Sequence, residues 1–219
     1  MHERPIRIGR GRSARGSLAS VSRTLDKRAP TDHPIADLLA RRWSPRAFAD
    51  RDVSEADLLT LFEAARWAPS SSNRQPWRFL VATRREPQEH EQLASVLNDR
   101  NRRWAPSAPV LALGVAHVSD GGRPLPYGSY DLGQAVGMLL VQATDLGLYV
   151  HQMAGYDRRR ARELFGIPDD FEPMAVMAIG HPGDVDALPE DLRARELAPR
   201  GRRAVAEFVF TGRFGTVRT

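Results

Sequence analysis

Between Pro69 and Pro76 the chain reads Ser70-Ser71-Ser72-Asn73-Arg74-Gln75, which puts three hydroxyls, two carboxamides and a guanidinium in six residues. All of these groups donate hydrogen bonds, so the segment has the chemistry of an anion cradle; the flanking prolines fix φ and withdraw a backbone donor at each end. Ser, Asn and Pro are equally the residues of a polar turn, and composition alone leaves both readings open. A second group is Arg42, Ser44 and Arg46 in RRWSPRAF, and a third is Arg200 and Arg202 in PRGRR. Guanidinium forks match phosphate oxygens two at a time, yet a basic helix end or a solvated basic run needs no ligand. Ala154-Gly155 permits close backbone approach to a flat ligand, although such a pair is weak evidence by itself.

Other chemistries are missing. There are no cysteines, which excludes disulfides, thiolate metal sites and thiol nucleophiles. The six histidines are scattered without HxxxH or HxxE spacing, so no metal site is expected. GxSxG, Walker and GxGxxG strings are absent, and no signal identifies a Ser-His-Asp triad or a carboxylate pair. No side chain is therefore nominated as catalytic. The demanding chemistry is expected from a bound cofactor that the protein positions and tunes.

The elements that must carry these groups can be read in outline. Residues 34–42 suggest a short helix with Ile35, Leu38 and Leu39 on one face. Ser54 is an N-cap, Asp57 stands at the capping-box position, and Leu58, Leu59, Phe62 and Ala65 suggest the buried stripe of the helix that follows. Trp77–Thr83 alternates like a strand, residues 87–99 suggest a second amphipathic helix, and Val110–Val118 reads as a strand covered on both faces. After a Gly/Pro loop over 119–129, Tyr130–Gly147 is the most apolar helix, with Gly147 at C′. Tyr149–Met153 and Met174–Gly180 suggest strands on either side of a helix at 158–165, and Phe208–Phe210 a terminal strand or arm.

The formal net charge of +5 belongs to one end of the chain. Residues 1–30 hold eight of the 32 Lys and Arg and only two of the 27 Asp and Glu, so the remaining 189 carry 24 basic against 25 acidic side chains. The expected organisation is a basic disordered arm over 1–30 and one folded domain over 31–219. The arm lacks the apolar core of a secretory signal. The neutral body shows no RRM, KH or helix-turn-helix signature, which argues against specific nucleic-acid binding. No apolar run approaches the roughly 18 residues of a membrane span. A soluble, cytoplasmic protein is expected.

The string Ala68-Pro69-Ser70-Ser71-Ser72-Asn73-Arg74-Gln75-Pro76-Trp77 closely resembles the APSSxNxQPW signature of the nitroreductase-like flavoproteins. RRWSPRAF resembles the family's opening R-x-S-x-R/K pattern, GLYVHQMAGYD its flavin-facing block, the turn at His181-Pro182 its IGyP turn, and Arg200-x-Arg202 its basic-x-Arg pair. The resemblance spans roughly residues 33–212, and it implies an α+β sandwich whose mostly antiparallel sheet is flanked by helices. It also implies FMN as cofactor, NADH or NADPH as co-substrate, and a homodimer built on the 130–147 helix. By the same resemblance the cofactor-binding residues are Arg42, Trp43, Ser44, Arg46, Pro69, Ser70, Ser71, Asn73, Asn101, Met153, Ala154, Gly155, Arg200 and Arg202. The implied activity is ping-pong hydride transfer through flavin N5 to an electron-poor small molecule such as a nitroaromatic or quinone. Related flavin chemistry (ring cleavage, dehalogenation or dehydrogenation) and flavin storage without turnover are the alternatives. One departure stands out: where some members carry Lys three residues after an Asn, this chain has Trp104 after Asn101, leaving Arg100 or Arg103 as substitute cations, or Trp104 itself as a wall of the pocket.

Overall fold

The computed structural model describes residues 25–218. The basic arm expected over 1–30 therefore lies outside the described residues as far as position 24. Among the described residues, seven α-helices and a four-stranded antiparallel sheet form three layers, beside a small two-stranded sheet. In chain order the main elements are α1 (Asp37–Arg41), α2 (Glu55–Arg66), β1 (Trp77–Thr83), α3 (Pro87–Ser95), α4 (Asp99–Arg102), β2 (Val110–His117), the two-residue strands β3 (Ser119–Asp120) and β4 (Arg123–Pro124), α5 (Gly128–Asp145), β5 (Tyr149–Met153), α6 (Arg158–Phe165), β6 (Phe171–Gly180) and α7 (Glu190–Leu197). The sheet order is β1-β2-β6-β5, with every neighbouring pair antiparallel. This is the α+β sandwich expected from the sequence.

The unbroken apolar runs of β2 and β6 follow from burial on both faces. Val110, Ala112 and Ala116 pack with Met177 and Ile179 against α2 and α5, while Leu111, Leu113 and Val115 pack with Val176 and Ala178 in the opposite core. Alternation of side chains along a strand thus serves two cores at once. The β2–β6 register shifts between Gly114 and Val115, which face Ala175 and Pro173, so Met174 is the extra residue of a bulge.

Helix α2 starts as its sequence suggests: Ser54 Oγ accepts from the Asp57 amide at 3.0 Å and donates to Asp57 Oδ2 at 2.7 Å. Helix α5 ends in a Schellman motif, with Leu148 N–H on Ala143 O at 2.8 Å, Gly147 N–H on Thr144 O at 3.2 Å, and Gly147 at φ +69°. Five expectations are corrected. Leu59 is exposed and Leu61 fully buried, because a 3.6-residue period aligns 58, 61, 62 and 65. The helix at 34–42 shortens to α1, and its Ile35 and Leu39 face outward. The helix at 87–99 is two helices, since Asn98 leaves helical geometry to cap α4. Strand β6 begins three residues earlier than expected, at Phe171, where it completes its pairing with β2. Of the strand or arm expected over Phe208–Phe210, no strand forms: Val205–Glu207 is a single 3₁₀ turn, and only Phe210 bridges Val217.

Candidate active site

The chain leaving α1 is extended, and its burial alternates. Trp43, Pro45 and Ala47 are buried, whereas Arg42, Ser44 and Arg46 are only partly covered. The R-x-S-x-R spacing is thus the period-two spacing that brings three polar side chains to one side of an extended chain. They line a cleft of about 270 Å³ together with Lys27, Trp43, Arg195, Glu196, Arg200 and Arg202. Arg42 Nη1 lies 3.5 Å from Ser44 Oγ. Arg200 reaches back across the fold, its Nη1 donating to Lys27 O at 2.5 Å and to Ala40 O at 3.0 Å. Trp43 is buried edge-on against Tyr149 of β5, with ring centroids 6.0 Å apart.

Four anchors hold this segment. The Glu196 carboxylate is 2 % exposed; its Oε1 accepts the Arg46 and Ala47 amides at 2.6 and 3.2 Å, and its Oε2 meets Arg46 Nη1 at 3.3 Å. His151 Nδ1 lies 2.8 Å from Pro45 O, and since a carbonyl only accepts, the proton sits on Nδ1. The turn at His181–Gly183 pairs with Ala47–Ala49, and an added Cβ on Gly183 would fall 2.4 Å from the Phe48 carbonyl carbon. The Trp104 ring stacks with Phe48, lies 4.5 Å from the His151 ring, and has Arg46 Cζ 6.0 Å from its centroid.

The cleft is electropositive. Burial, and after it the charges of Arg200 and Arg202, lower the Arg42 pKa; burial and Arg202 do the same to Arg200. These guanidinium groups repel one another, while the one buried carboxylate among them is already satisfied by two amides and Arg46. An anion relieves that repulsion, and a phosphate monoester fits the donor set.

Behind Trp104 lies a second group. Gly155 O accepts the Asn98 amide at 3.1 Å and Asn101 Nδ2 at 3.0 Å. A Cβ on Gly155 would sit 2.4 Å from Asn98 Nδ2 and 2.8 Å from Asn101 Nδ2, so within the chain it is these carboxamides that require glycine. Met153 is buried beside them and Ala154 is exposed. Trp104 is 3 % exposed and belongs to the core. Arg103 is engaged in a two-pronged pair with Asp191, at 2.8 and 2.7 Å, and Arg100 is exposed.

The Pro69–Asn73 loop stands elsewhere. Ser71 N–H donates to Asp131 Oδ2 at 3.0 Å, fixing the loop to the first turn of α5, and Ser71 to Gln75 are exposed. Ser72, Asn73 and Gln75 have φ of 52°, 52° and 49°, the only positive values at non-glycine positions among the described residues. Left-handed backbone costs roughly 1–2 kcal/mol at residues such as Ser72 and Gln75, and less at Asn73, whose short side chain suits that region. Among the described residues no hydrogen bond or ion pair joins this loop to the arginine cleft. One chain therefore brings together Arg42, Trp43, Ser44, Arg46, Arg200 and Arg202, places Asn101, Met153, Ala154 and Gly155 one aromatic layer away, and leaves Pro69, Ser70, Ser71 and Asn73 apart.

Sequence reasoning passed over Glu196, Asp131, His151 and Lys27. Of these, Asp131 was detectable as a lone acid on an otherwise apolar stripe, four residues before buried Ala135, whereas Glu196 shares the buried face of α7 only with Leu192 and carried no such signal. His151 and Lys27 gave none either.

Among known proteins, the family model described as the nitroreductase family matches residues 39–110. A Streptomyces coelicolor protein described as a candidate NADH dehydrogenase/NAD(P)H nitroreductase is 32 % identical over 163 residues, 65 % of this chain and 80 % of that one. An iodotyrosine deiodinase from Thermotoga neapolitana is 27 % identical over 171 residues, 68 % of this chain and 89 % of that one. A crystal structure described as an oxidoreductase containing FMN superposes with a TM-score of 0.80 at 37 % identity, covering 89 % of this chain and 99 % of that one. The three-layer fold, the arginine cleft and these likenesses agree: the chain belongs to the nitroreductase family.

Proposed function

We propose that this protein is a homodimeric, FMN-dependent oxidoreductase that takes hydride from NADH or NADPH and delivers it to an electron-poor small molecule. The observation that carries this reading is the cleft in which Arg42, Arg46, Arg200 and Arg202 converge around one already satisfied carboxylate. Arg42, Ser44, Arg46, Arg200 and Arg202 would hold the phosphate; Asn101 and the Ala154-Gly155 backbone would face the ring system. When bound, FMN would supply the redox chemistry, accepting hydride from the nicotinamide and passing it on.

The cleft of about 270 Å³ falls below the roughly 300–1,000 Å³ of complete small-molecule sites, enough for a phosphate and part of its chain but not for a whole flavin. The strained Pro69–Asn73 loop and the outward face of α5, with Tyr130, Gly133 and Met138 exposed, share one side of the molecule. A second copy packed on that face is the arrangement in which the loop of one protomer completes the cleft of the other. Glu196 and His151 act at one remove, holding the Arg46 backbone so that its guanidinium enters the cleft at a set angle.

The test is the visible absorption of the purified protein before and after anaerobic NADH or NADPH. Flavin bands that bleach support the reading, flavin that stays oxidised points to a binder or a different reductant, and a colourless protein that refuses added FMN defeats the cofactor assignment. Arg46→Ala and Asn73→Ala are each expected to purify without flavin. Full occupancy in both would show that the site is placed wrongly. The likeness to iodotyrosine deiodinase favours reductive dehalogenation as a second reading; halide release from an iodinated phenol under the same anaerobic conditions distinguishes it.

A further inference from the structure

We propose that Lys27, carried by the segment that precedes α1, is a further binding residue of the arginine cleft, acting on the phosphate end of its ligand. The inference rests on the flavin reading above and adds a cation from outside the region where the family resemblance begins.

The segment is built into the site. Ala29 N–H donates to Ala40 O at 2.8 Å, Arg28 pairs with Asp37 at 2.6 Å, and Arg200 donates to Lys27 O. The Lys27 side chain then crosses to the far wall, where Nζ donates to Glu196 O at 2.8 Å and also to Ala198 O. The same ammonium lies 5.9 Å from the centre of the Trp43 ring, and Lys27 lines the cleft with Arg42, Ser44, Arg46 and Arg202. Arg200 thereby links the chain before α1, the end of α1 and the C-terminal segment through one guanidinium.

Electrostatics gives the lysine two effects of the same sign. Helix α7 (Glu190–Leu197) ends at the cleft, and its last carbonyls carry the negative end of the helix dipole toward a place meant for an anion. Lys27 caps Glu196 O and Ala198 O and so offsets that repulsion. An ammonium has three donors. Two are on these carbonyls, which leaves one for a phosphate oxygen, and the full positive charge remains at the cleft. Lys27 is half-buried, so salt screens it less than a fully exposed lysine.

The test uses the full chain, Lys27→Met and Lys27→Arg, each freed of flavin and titrated with FMN and, separately, with riboflavin, which lacks the phosphate. Lys27→Met is expected to weaken FMN roughly five- to tenfold, to flatten the salt dependence of FMN binding, and to leave riboflavin unchanged; Lys27→Arg is expected to stay within about twofold of the native chain. FMN affinity within about twofold in Lys27→Met overturns the proposal, as does an equal loss for FMN and riboflavin, which would mark a general loss of packing. Should the native chain bind neither flavin, the flavin reading fails, and inorganic phosphate decides the lysine's role. A thermal shift with phosphate in the native chain but not in Lys27→Met supports an anion-binding Lys27; equal shifts, or none, overturn it.

Discussion

Gly155 and His151 show how single residues set the site from behind. The Asn98 carboxamide cannot retreat from a side chain at 155, because its Oδ1 caps α4 through the Asn101 amide at 3.0 Å. Gly155→Ala is therefore expected to cost about 1.5–5 kcal/mol, the sum of overpacking and a lost cap, measurable by urea denaturation. His151 is held neutral, its pKa lowered from 6.5 to about 4 chiefly by burial, with the neighbouring Arg46 charge acting in the same direction. A histidine depressed in the folded state contributes its stability above pH 6.5 and loses it as pH falls toward 4, where the unfolded chain binds the proton first. The loss across that window has an upper bound of about 3 kcal/mol. His151→Gln should be less stable at pH 7 yet lose less between pH 6.5 and 4. An acid limb unchanged from the native profile would mean that another group governs it; His181, also lowered by burial, is the next to replace.

At the scale of elements, the loop after α2 is held in an unfavourable conformation by the helix it rests on. Three left-handed non-glycine residues are tolerated because the ends are pinned: Ser70 Oγ accepts the Gln75 amide at 3.1 Å, Pro76 O accepts the His117 amide at 2.8 Å, and Asp131 takes the Ser71 amide. Strained backbone persists only where its surroundings over-determine it. Asp131 is 3 % exposed and stands in the first turn of α5, where the helix dipole favours a carboxylate. Asp131→Ala is expected to cost about 1–3 kcal/mol by leaving the Ser71 amide unmatched, and to weaken flavin binding although Asp131 is no part of the arginine cleft. Flavin affinity that survives in this variant would show that the loop is positioned by its own residues. The burial stripe of α2 and the break between α3 and α4 belong to this scale too. The first is set by period alone, a period that Leu61 satisfies and the expected Leu59 does not, while the second needed Gly155, 54 residues away, to give Asn101 a partner.

For the whole molecule, the outward face of α5 is the surface on which the proposed dimer depends. A Cβ added to Gly133 or Gly137 meets nothing within 4 Å, so among the described residues no packing asks for glycine there. Exposed Ile35, Leu39, Val205 and Phe208 add an apolar cleft beside the arginines. Gly137→Arg should leave the fold of the single chain intact, while converting the proposed dimer to a monomer in light scattering and releasing flavin, with thermal stability falling by what dimerisation and flavin contributed. A variant that stays dimeric would place the interface elsewhere. Among the described residues no helix is long and apolar enough to cross a membrane. Strands β1 and β5 were legible to the residue because alternation and flanking turns are local; so was the C-terminal glycine of α5, whose positive φ is a property of one residue. The arginine cleft was legible only as a motif, since period-two spacing says which side chains share a side but not what they face. Tertiary structure alone decided that Arg200 spans to Lys27 and Ala40, that Glu196 holds Arg46, that Trp104 is core, and that the serine loop stands apart from the cleft. Each depends on partners tens to more than a hundred residues away, brought into hydrogen-bond range only when both faces of the sheet are covered.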